Sequence, residues 1–129
     1  MRTSPSLPDQ LAQVPAEVRG LVEAAVETAR SAAPDAEEVV YNSSRPGTPS
    51  MMWKLVRYRV NGANVAGVGC FTKHAAVFLY RGRELDDPAR LLQGTGKDSR
   101  FIPLRSVEDA TRPEVRTLLS QAFELEQRT

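Results

Sequence analysis

Residues 51–71 read MMWKLVRYRVNGANVAGVGCF, and this stretch decides the fold of the chain. At its centre, Asn61-Gly62 is the residue pair preferred in two-residue hairpin turns, because both turn positions need a positive φ. The sequence therefore predicts an antiparallel hairpin, since a two-residue turn fixes which residues pair across the strands. The predicted register pairs Val60 with Ala63, Tyr58 with Val65, and Val56 with Gly67.

A third strand is predicted from His74 to Tyr80, after a tight turn at Thr72-Lys73 that places Phe71 opposite His74. Because side chains alternate across a strand, the three strands present two faces. We expect helices to cover the face that is apolar along its length: Val56, Tyr58, Val60, Val65, Gly67, Gly69, Phe71, His74, Ala76, Phe78 and Tyr80. The other face is predicted to carry Trp53, Leu55, Arg57, Arg59, Asn64, Ala66, Val68, Cys70, Ala75, Val77 and Leu79. The glycines of the first face leave space for large rings or for a closely approaching helix.

Helices are predicted before and after these strands in the sequence. Apolar residues at spacings of three and four predict a helix from Pro15 to Ala33, and Thr111 to Glu114 has the pattern of a capping box that opens a C-terminal helix. The shorter predicted elements are a strand at Glu38–Asn42, a helix at Pro88–Gln93 and an edge strand at Arg100–Arg105. This order predicts the α+β class, a two-layer sandwich with a mainly antiparallel sheet flanked by N- and C-terminal helices. We expect residues 1–9 to be a flexible lead-in and residues 10–129 to be one domain.

Composition limits the classes of function. The chain has 129 residues, a net charge of +1 and 41% hydrophobic residues, which fits one globular domain and argues against nucleic-acid binding. Its longest uncharged stretch, residues 60–72, contains asparagines and glycines, so we expect no membrane span. The single cysteine, Cys70, and an N-terminus without an apolar run predict a cytoplasmic location. Acids dominate residues 15–40 and bases dominate residues 41–105, so we expect two electrostatic sides.

A resemblance adds to these patterns. Lys73-His74 at the start of a strand, the run from Arg81 to Pro88, the run from Leu91 to Lys97, and Arg100 before a strand ending at Ser106 resemble the YdhG-like family, a domain of unknown function. The resemblance spans residues 8–125 and implies a frataxin-like fold. Some relatives are described as frataxin-like intracellular iron chaperones, so it also implies iron handling. The chain departs from the family at Phe101, where relatives often have His, and in residues 41–51, where a Ser/Pro loop replaces a Tyr-Gly-x-Pro turn.

Iron binding of this kind would need clustered oxygen ligands. The candidate metal ligands are Glu23 and Glu27, four residues apart on one helix face, and the neighbouring Glu37 and Glu38. In the alternative interpretation, Arg19 and Arg30 pair with the two helical acids, and the acidic side is an ordinary solvated helix face.

A second candidate site lies on the predicted Trp53 face. Trp53, Arg57 and Arg59 with an apolar floor could hold a small anionic aromatic ligand or a protein partner. Alternatively, residues 84–97 or a second copy of the chain cover this face as core. Further candidate ligand-binding residues are His74, Lys97 and Arg100. Gly94 to Lys97 lacks the spacing of a phosphate-binding Walker A loop, although its backbone N–H groups could form a weaker anion nest.

These patterns predict a non-catalytic binding or accessory domain, with a homodimeric interaction module as the alternative. Cys70 and His74 are predicted on opposite faces, which excludes a nucleophile–base pair between them. No catalytic residues are assigned, and iron is implied only by the resemblance.

Overall fold

The computed structural model describes residues 6–42, 46–48 and 50–128. These residues form helices packed on a five-stranded antiparallel sheet whose strands follow chain order. The strands are β1 (Glu37–Val40), β2 (Trp53–Val60), β3 (Ala63–Cys70), β4 (Ala75–Leu79) and β5 (Arg100–Leu104). The helices are α1 (Leu7–Ala12), α2 (Ala16–Ala32), α3 (Val107–Ala110) and α4 (Pro113–Gln127). The predicted α+β class is confirmed.

The long helices α2 and α4 form where the sequence pattern predicts them, and they bury the predicted apolar faces. One predicted cap is wrong. Pro15 precedes α2 and Pro113 is the first residue of α4, positions where the missing N–H of proline costs nothing. The capping box predicted at Thr111 is wrong, since no side chain caps α4. Ser106 instead caps α3 by accepting a hydrogen bond from the Asp109 N–H, and the Thr111 hydroxyl donates to the Val107 carbonyl at the end of that helix.

The short helix α1 differs from the predicted flexible lead-in over residues 7–9. The Ser6 hydroxyl accepts a hydrogen bond of 3.2 Å from the Asp9 N–H, and the Leu7 side chain is buried in the core. A capped turn with a buried anchor is ordered despite its prolines. Residues 1–5 of the predicted lead-in lie outside the described residues. Within the part of the chain that is described, none of the helices combines the length and the hydrophobicity that a membrane crossing requires.

The hairpin of β2 and β3 turns where predicted, with Asn61 at φ 52° and Gly62 at φ 82°. The pairing of Val60 with Ala63 is confirmed, but the rest of the predicted register is wrong. Tyr58 pairs with Ala66, and Val56 pairs with Val68. The physical reason is a pair of β-bulges: one extra residue at Val65 in β3 and a compensating one at Leu55 in β2.

The bulges reverse the predicted faces of β3 and β4 and of Trp53, whereas Val56, Tyr58 and Arg57 lie on the faces predicted for them. The face that packs on α2 and α4, here called the helix face, carries residues of the main core cluster: Trp53, Val56, Tyr58, Ala66, Val68, Cys70, Ala75, Val77, Leu79, Ile102 and Leu104. The opposite face, here called the open face, carries Lys54, Arg57, Gly67, Gly69, Ala76, Phe78, Phe101 and Pro103. Its glycines lie opposite Phe78 and Ala76, as predicted. The ring of Phe78 lies over Gly67, so the space is taken by a ring and not by a helix.

The helix predicted at Pro88–Gln93 does not form, and a single 3-10 turn occurs earlier, at Gly82–Glu84. The Asp87 carboxylate accepts hydrogen bonds from the N–H groups of Leu91 and Leu92, and Arg90 has φ 56°, which ends any helical continuation. Gln93 then pairs with Phe101 and extends the sheet beyond the confirmed edge strand β5. Residues 94–99 therefore form a loop beside the open face.

Candidate functional site

The structure separates two residues that the sequence placed together. Trp53 lies on the helix face and is 3% exposed, whereas Arg57 lies on the open face. The bulge at Leu55 is the cause, because it changes the alternation of side chains between these two positions. The prediction that Trp53 is covered is confirmed, but the predicted cover by residues 84–97 or a second copy is wrong, since Trp53 belongs to the core formed with the helices and Pro15 lines the cavity beside it. Trp53 therefore needs no second subunit to bury it.

Arg57 is a half-buried cation that lacks a partner of opposite charge. Its guanidinium lies 4.9 Å from the centroid of the Tyr41 ring, a cation–π contact that fixes the orientation of the guanidinium. Its Nε atom is buried and has no hydrogen-bond partner. Within the residues that the structure describes, no carboxylate pairs with Arg57 and no group accepts a hydrogen bond from it. A buried donor of this kind is rare in native proteins and needs a physical explanation.

A hydrogen bond between two tyrosines fixes the ring that contacts Arg57. The hydroxyl groups of Tyr41 and Tyr80 are 2.8 Å apart. Tyr80 directly follows β4, so this hydrogen bond holds the Tyr41 ring, on which Arg57 stacks, in place. Burial, and next the hydrogen bond with Tyr41, raises the pKa of Tyr80 well above its ordinary value. The Tyr80 phenol therefore stays protonated at neutral pH and adds no negative charge beside Arg57.

A groove of about 380 Å³ adjoins these residues on the open face. Phe78 and Phe101 supply its aromatic surface, and Tyr80 lines it on the side that leads to Arg57. The Phe78 and Tyr80 rings meet edge to face at 5.8 Å, and the Lys54 ammonium lies 5.2 Å from the Phe78 ring centroid. All residues that line the groove belong to the described part of the chain, and none of them is Asp or Glu. The groove therefore combines aromatic surface with positive charge.

The other predicted ligand-binding residues do not converge on this groove as a set. Arg59 lies towards the hairpin end of the open face, 3.7 Å from a Glu37 oxygen, and donates to the Gly62 carbonyl at 2.6 Å. Lys97 is exposed on the loop that flanks the groove. Arg100 lines the groove, but one of its amino groups donates to the carbonyls of Gly96 and Ser99 at 2.6 and 2.7 Å, so it holds the loop in place.

His74 lies near the turn between β3 and β4, stacked on Phe71 with ring centroids 4.4 Å apart. Burial, and next the charge of Arg105, lowers the pKa of His74 below its ordinary value. Cys70 is buried and belongs to the helix face, so the prediction that it lies opposite to His74 is confirmed.

The candidate metal ligands are placed where arginines neutralise most of them. The Glu38 carboxylate receives two hydrogen bonds of 2.8 Å from Arg30 and one of 2.8 Å from the Tyr58 hydroxyl. Arg30 also lies 3.3 Å from Glu27, as the alternative interpretation predicted. The pairing of Arg19 with Glu23 is wrong, because the Arg19 guanidinium donates instead to backbone carbonyls at the end of α1 and before α2. Hydrogen bonding to Arg30, and then to Tyr58, lowers the pKa of Glu38. Among the described residues, no group of three or more His, Cys, Asp or Glu side chains is placed to hold a metal ion.

Sequence reasoning missed the residues that surround Arg57 in space. Lys54, Tyr41, Phe78 and Tyr80 join it on the open face, although strict alternation puts Lys54 and Arg57 on opposite sides of β2. The available signal was the pair of glycines in β3, which correctly predicted space for large rings but was assigned to the face that helices cover.

Comparisons with known proteins add no identity. No family model matches the chain, and neither the curated proteins nor the solved structures contain a match to it. The resemblance to the YdhG-like family therefore stays a prediction, and so does the iron handling that it implies.

Proposed function

We propose that this chain is a non-catalytic binding domain that holds a small anionic ligand on its open face, with Arg57 as the residue that contacts the anion. The observation that carries the proposal is the partnerless, half-buried guanidinium of Arg57 stacked on Tyr41. A guanidinium in this position has lost part of its hydration without gaining a carboxylate or a carbonyl in exchange. An anionic ligand would supply the missing acceptor.

The chemistry of arginine supports an oxyanion as the ligand. The planar guanidinium matches the geometry of carboxylate and phosphate groups and can bind them through two parallel hydrogen bonds. The stacking on Tyr41 and the hydrogen bond between Tyr41 and Tyr80 hold the plane of the guanidinium before the ligand arrives. A preorganised side chain loses less conformational entropy on binding, which favours affinity.

Four predictions from the sequence are independent of the anion site. Membership of the YdhG-like family and a frataxin-like fold rest on the quoted sequence runs, and a cytoplasmic location rests on the single cysteine and the N-terminal composition. Iron handling has only the resemblance behind it. Calorimetric titration with ferrous ion would test iron handling. A protein that binds no ferrous ion would contradict this prediction and would leave the proposed anion site unaffected.

The test of the anion site is a titration of the ¹⁵N-labelled protein with inorganic phosphate. We expect the largest chemical-shift changes in β2 and β4 around Arg57 and Tyr80. Arg57→Met should weaken binding at least about tenfold, which corresponds to about 1.4 kcal/mol. Arg116→Met is the matched control, because it removes the same charge from the exposed side of α4.

Equal phosphate affinity of the wild type and Arg57→Met would contradict the proposal. Shift changes confined to the loop at Gly94–Lys97 would also contradict it, and would favour the backbone anion nest instead.

A further inference from the structure

We infer that the ligand of the open face is a nucleoside monophosphate, with its base in the groove and its phosphate at Lys54 and Arg57. This inference rests on the proposed function, because it assigns Arg57 the same anion-binding role. It adds a ring-binding subsite, built by residues that the phosphate does not contact. The two parts can therefore be tested separately.

The shape and lining of the groove fit a planar ring. Its volume of about 380 Å³ lies near the lower end of the range of small-molecule sites, which is roughly 300 to 1,000 Å³. Phe101 is half-buried, so a flat heterocycle can pack against its ring. Phe78 also lines the groove, but it is only 7% exposed and the Lys54 ammonium lies over its ring. Thr95 and Ser99 also line the groove, and their hydroxyl groups can serve as donors and acceptors for the heteroatoms of a base.

The position of the cations fits a phosphate at one end of the ring subsite. Arg57 and Phe78 occupy the same row of the sheet with only Gly67 between them, so their Cα atoms are roughly 10 Å apart at about 4.8 Å per strand. Because Gly67 has no side chain, nothing from β3 stands between the two. The Leu55 bulge also brings Lys54 to this face, where its ammonium lies over Phe78. Two cations beside one aromatic surface match a dianionic phosphate attached to a ring system.

The distribution of charge favours a single nucleotide over a nucleic-acid strand. A strand needs a track of cations that follows successive phosphates, and binding then becomes steeply dependent on salt. The whole chain has a net charge of +1. At the hairpin end of the open face, Arg59 already lies beside Glu37, which lowers the positive potential there. The charged residues that line the groove are Lys54 and Arg100, which is too short a track for successive phosphates.

The test compares three probes on the wild-type protein: adenosine 5′-monophosphate, ribose 5-phosphate and adenosine. We expect the nucleotide to bind at least tenfold more tightly than either fragment, measured by chemical-shift titration at fixed salt. Phe101→Leu should lower the affinity for the nucleotide to that for ribose 5-phosphate, while leaving ribose 5-phosphate binding unchanged. Arg57→Met should weaken both phosphates, and Arg116→Met should change neither. The ranking of the probes uses the unmodified protein, so it does not depend on how a variant folds.

Three other outcomes would each overturn a stated part of the proposals. Equal binding of the nucleotide and ribose 5-phosphate overturns the ring subsite but leaves the anion site standing. No binding of either phosphate probe or of inorganic phosphate overturns both proposals. A single-stranded ten-nucleotide DNA that binds more than a hundredfold more tightly than the nucleotide, with steep salt dependence, overturns the choice of a mononucleotide in favour of a nucleic-acid strand.

Discussion

The two faces of the sheet use the same strands for different purposes. On the helix face, Val68 and Val77 are fully buried in one continuous apolar core with residues of α2 and α4. On the open face, cations lie against aromatic rings, and none of the helices in the described ranges belongs to a layer on that side. Apolar burial is non-directional and stabilises the fold, whereas a buried guanidinium N–H without an acceptor costs stability. The difference teaches that function is to be sought on the face whose interactions are incomplete.

Truncation of one large aromatic side chain on each face should give the largest contrast. Trp53→Ala removes a side chain that is 3% exposed, so we expect it to lower the free energy of unfolding by about 3 to 5 kcal/mol. Phe101→Ala, on the half-buried open face, should cost about 1 kcal/mol. Urea denaturation of both variants measures the difference. Equal losses would break the distinction between a packed face and an open one.

The sequence predicted the elements better than it predicted the faces. The turn at Asn61-Gly62, the helix α2 and the strand β5 follow from local signals, because residue type alone specifies a positive φ or an apolar stripe. The bulges at Val65 and Leu55 have no such signal. A bulge is set by how the strand must bend to pack on both neighbours, and that is a tertiary effect. The extra residue in β3 was enough to exchange the faces of β3 and β4, and the extra residue in β2 moved Trp53 to the helix face.

The candidate site was predictable only in part, for the same reason. Arg57 was identified as an anion-binding candidate on the face that the helices do not cover, and the structure places it on that face. Tyr41 lies beyond the end of β1, and Tyr80 lies beyond the end of β4, so their meeting with Arg57 depends on the three-dimensional pairing of strands. The pairing of Glu38 with both Arg30 and Tyr58 depends on the packing of α2 across β1.

A glycine substitution tests how closely the open face is filled. A Cβ atom at Gly67 would collide with the Phe78 ring and would lie 2.7 Å from the Val56 carbonyl oxygen, which is backbone and cannot move aside. We expect Gly67→Ala to lower the free energy of unfolding by about 1 to 3 kcal/mol. Gly20→Ala is the matched control: no atom lies within 4 Å, the position is in α2, and alanine should stabilise by about 0.5 to 1 kcal/mol. Thermal melts that shift in the same direction for both variants would contradict this account of the face.

The stability of the turn between β2 and β3 should be sensitive to a β-branched residue. Gly62 has φ 82°, a conformation that valine adopts only with strain. We expect Gly62→Val to cost at least about 1 kcal/mol. Asn61→Gly should be close to neutral, because glycine accepts the positive φ of Asn61. Melting curves of the two variants give the comparison, and an unchanged curve for Gly62→Val would remove the turn as the source of the register.

The smallest effect should come from the ion pair at the border of the helix face, and its pH dependence identifies it. Arg30, and then Tyr58, hold the pKa of Glu38 below its ordinary value through hydrogen bonds. A carboxyl group whose pKa is lowered by folding contributes stability that is fully present above its unfolded pKa, about 4.3, and is lost as the pH falls through the lower folded value. Glu38→Gln should therefore cost up to about 1 kcal/mol at pH 7, since the pair is partly exposed to solvent.

That cost should shrink towards zero near about pH 2, where the wild-type carboxyl is also protonated. Glu23→Gln is the control, because Glu23 is exposed on α2 and forms none of the ion pairs among the described residues. Urea denaturation at both pH values measures the two differences. A deficit of Glu38→Gln that is the same at acidic and neutral pH would show that the variant loses packing and not charge.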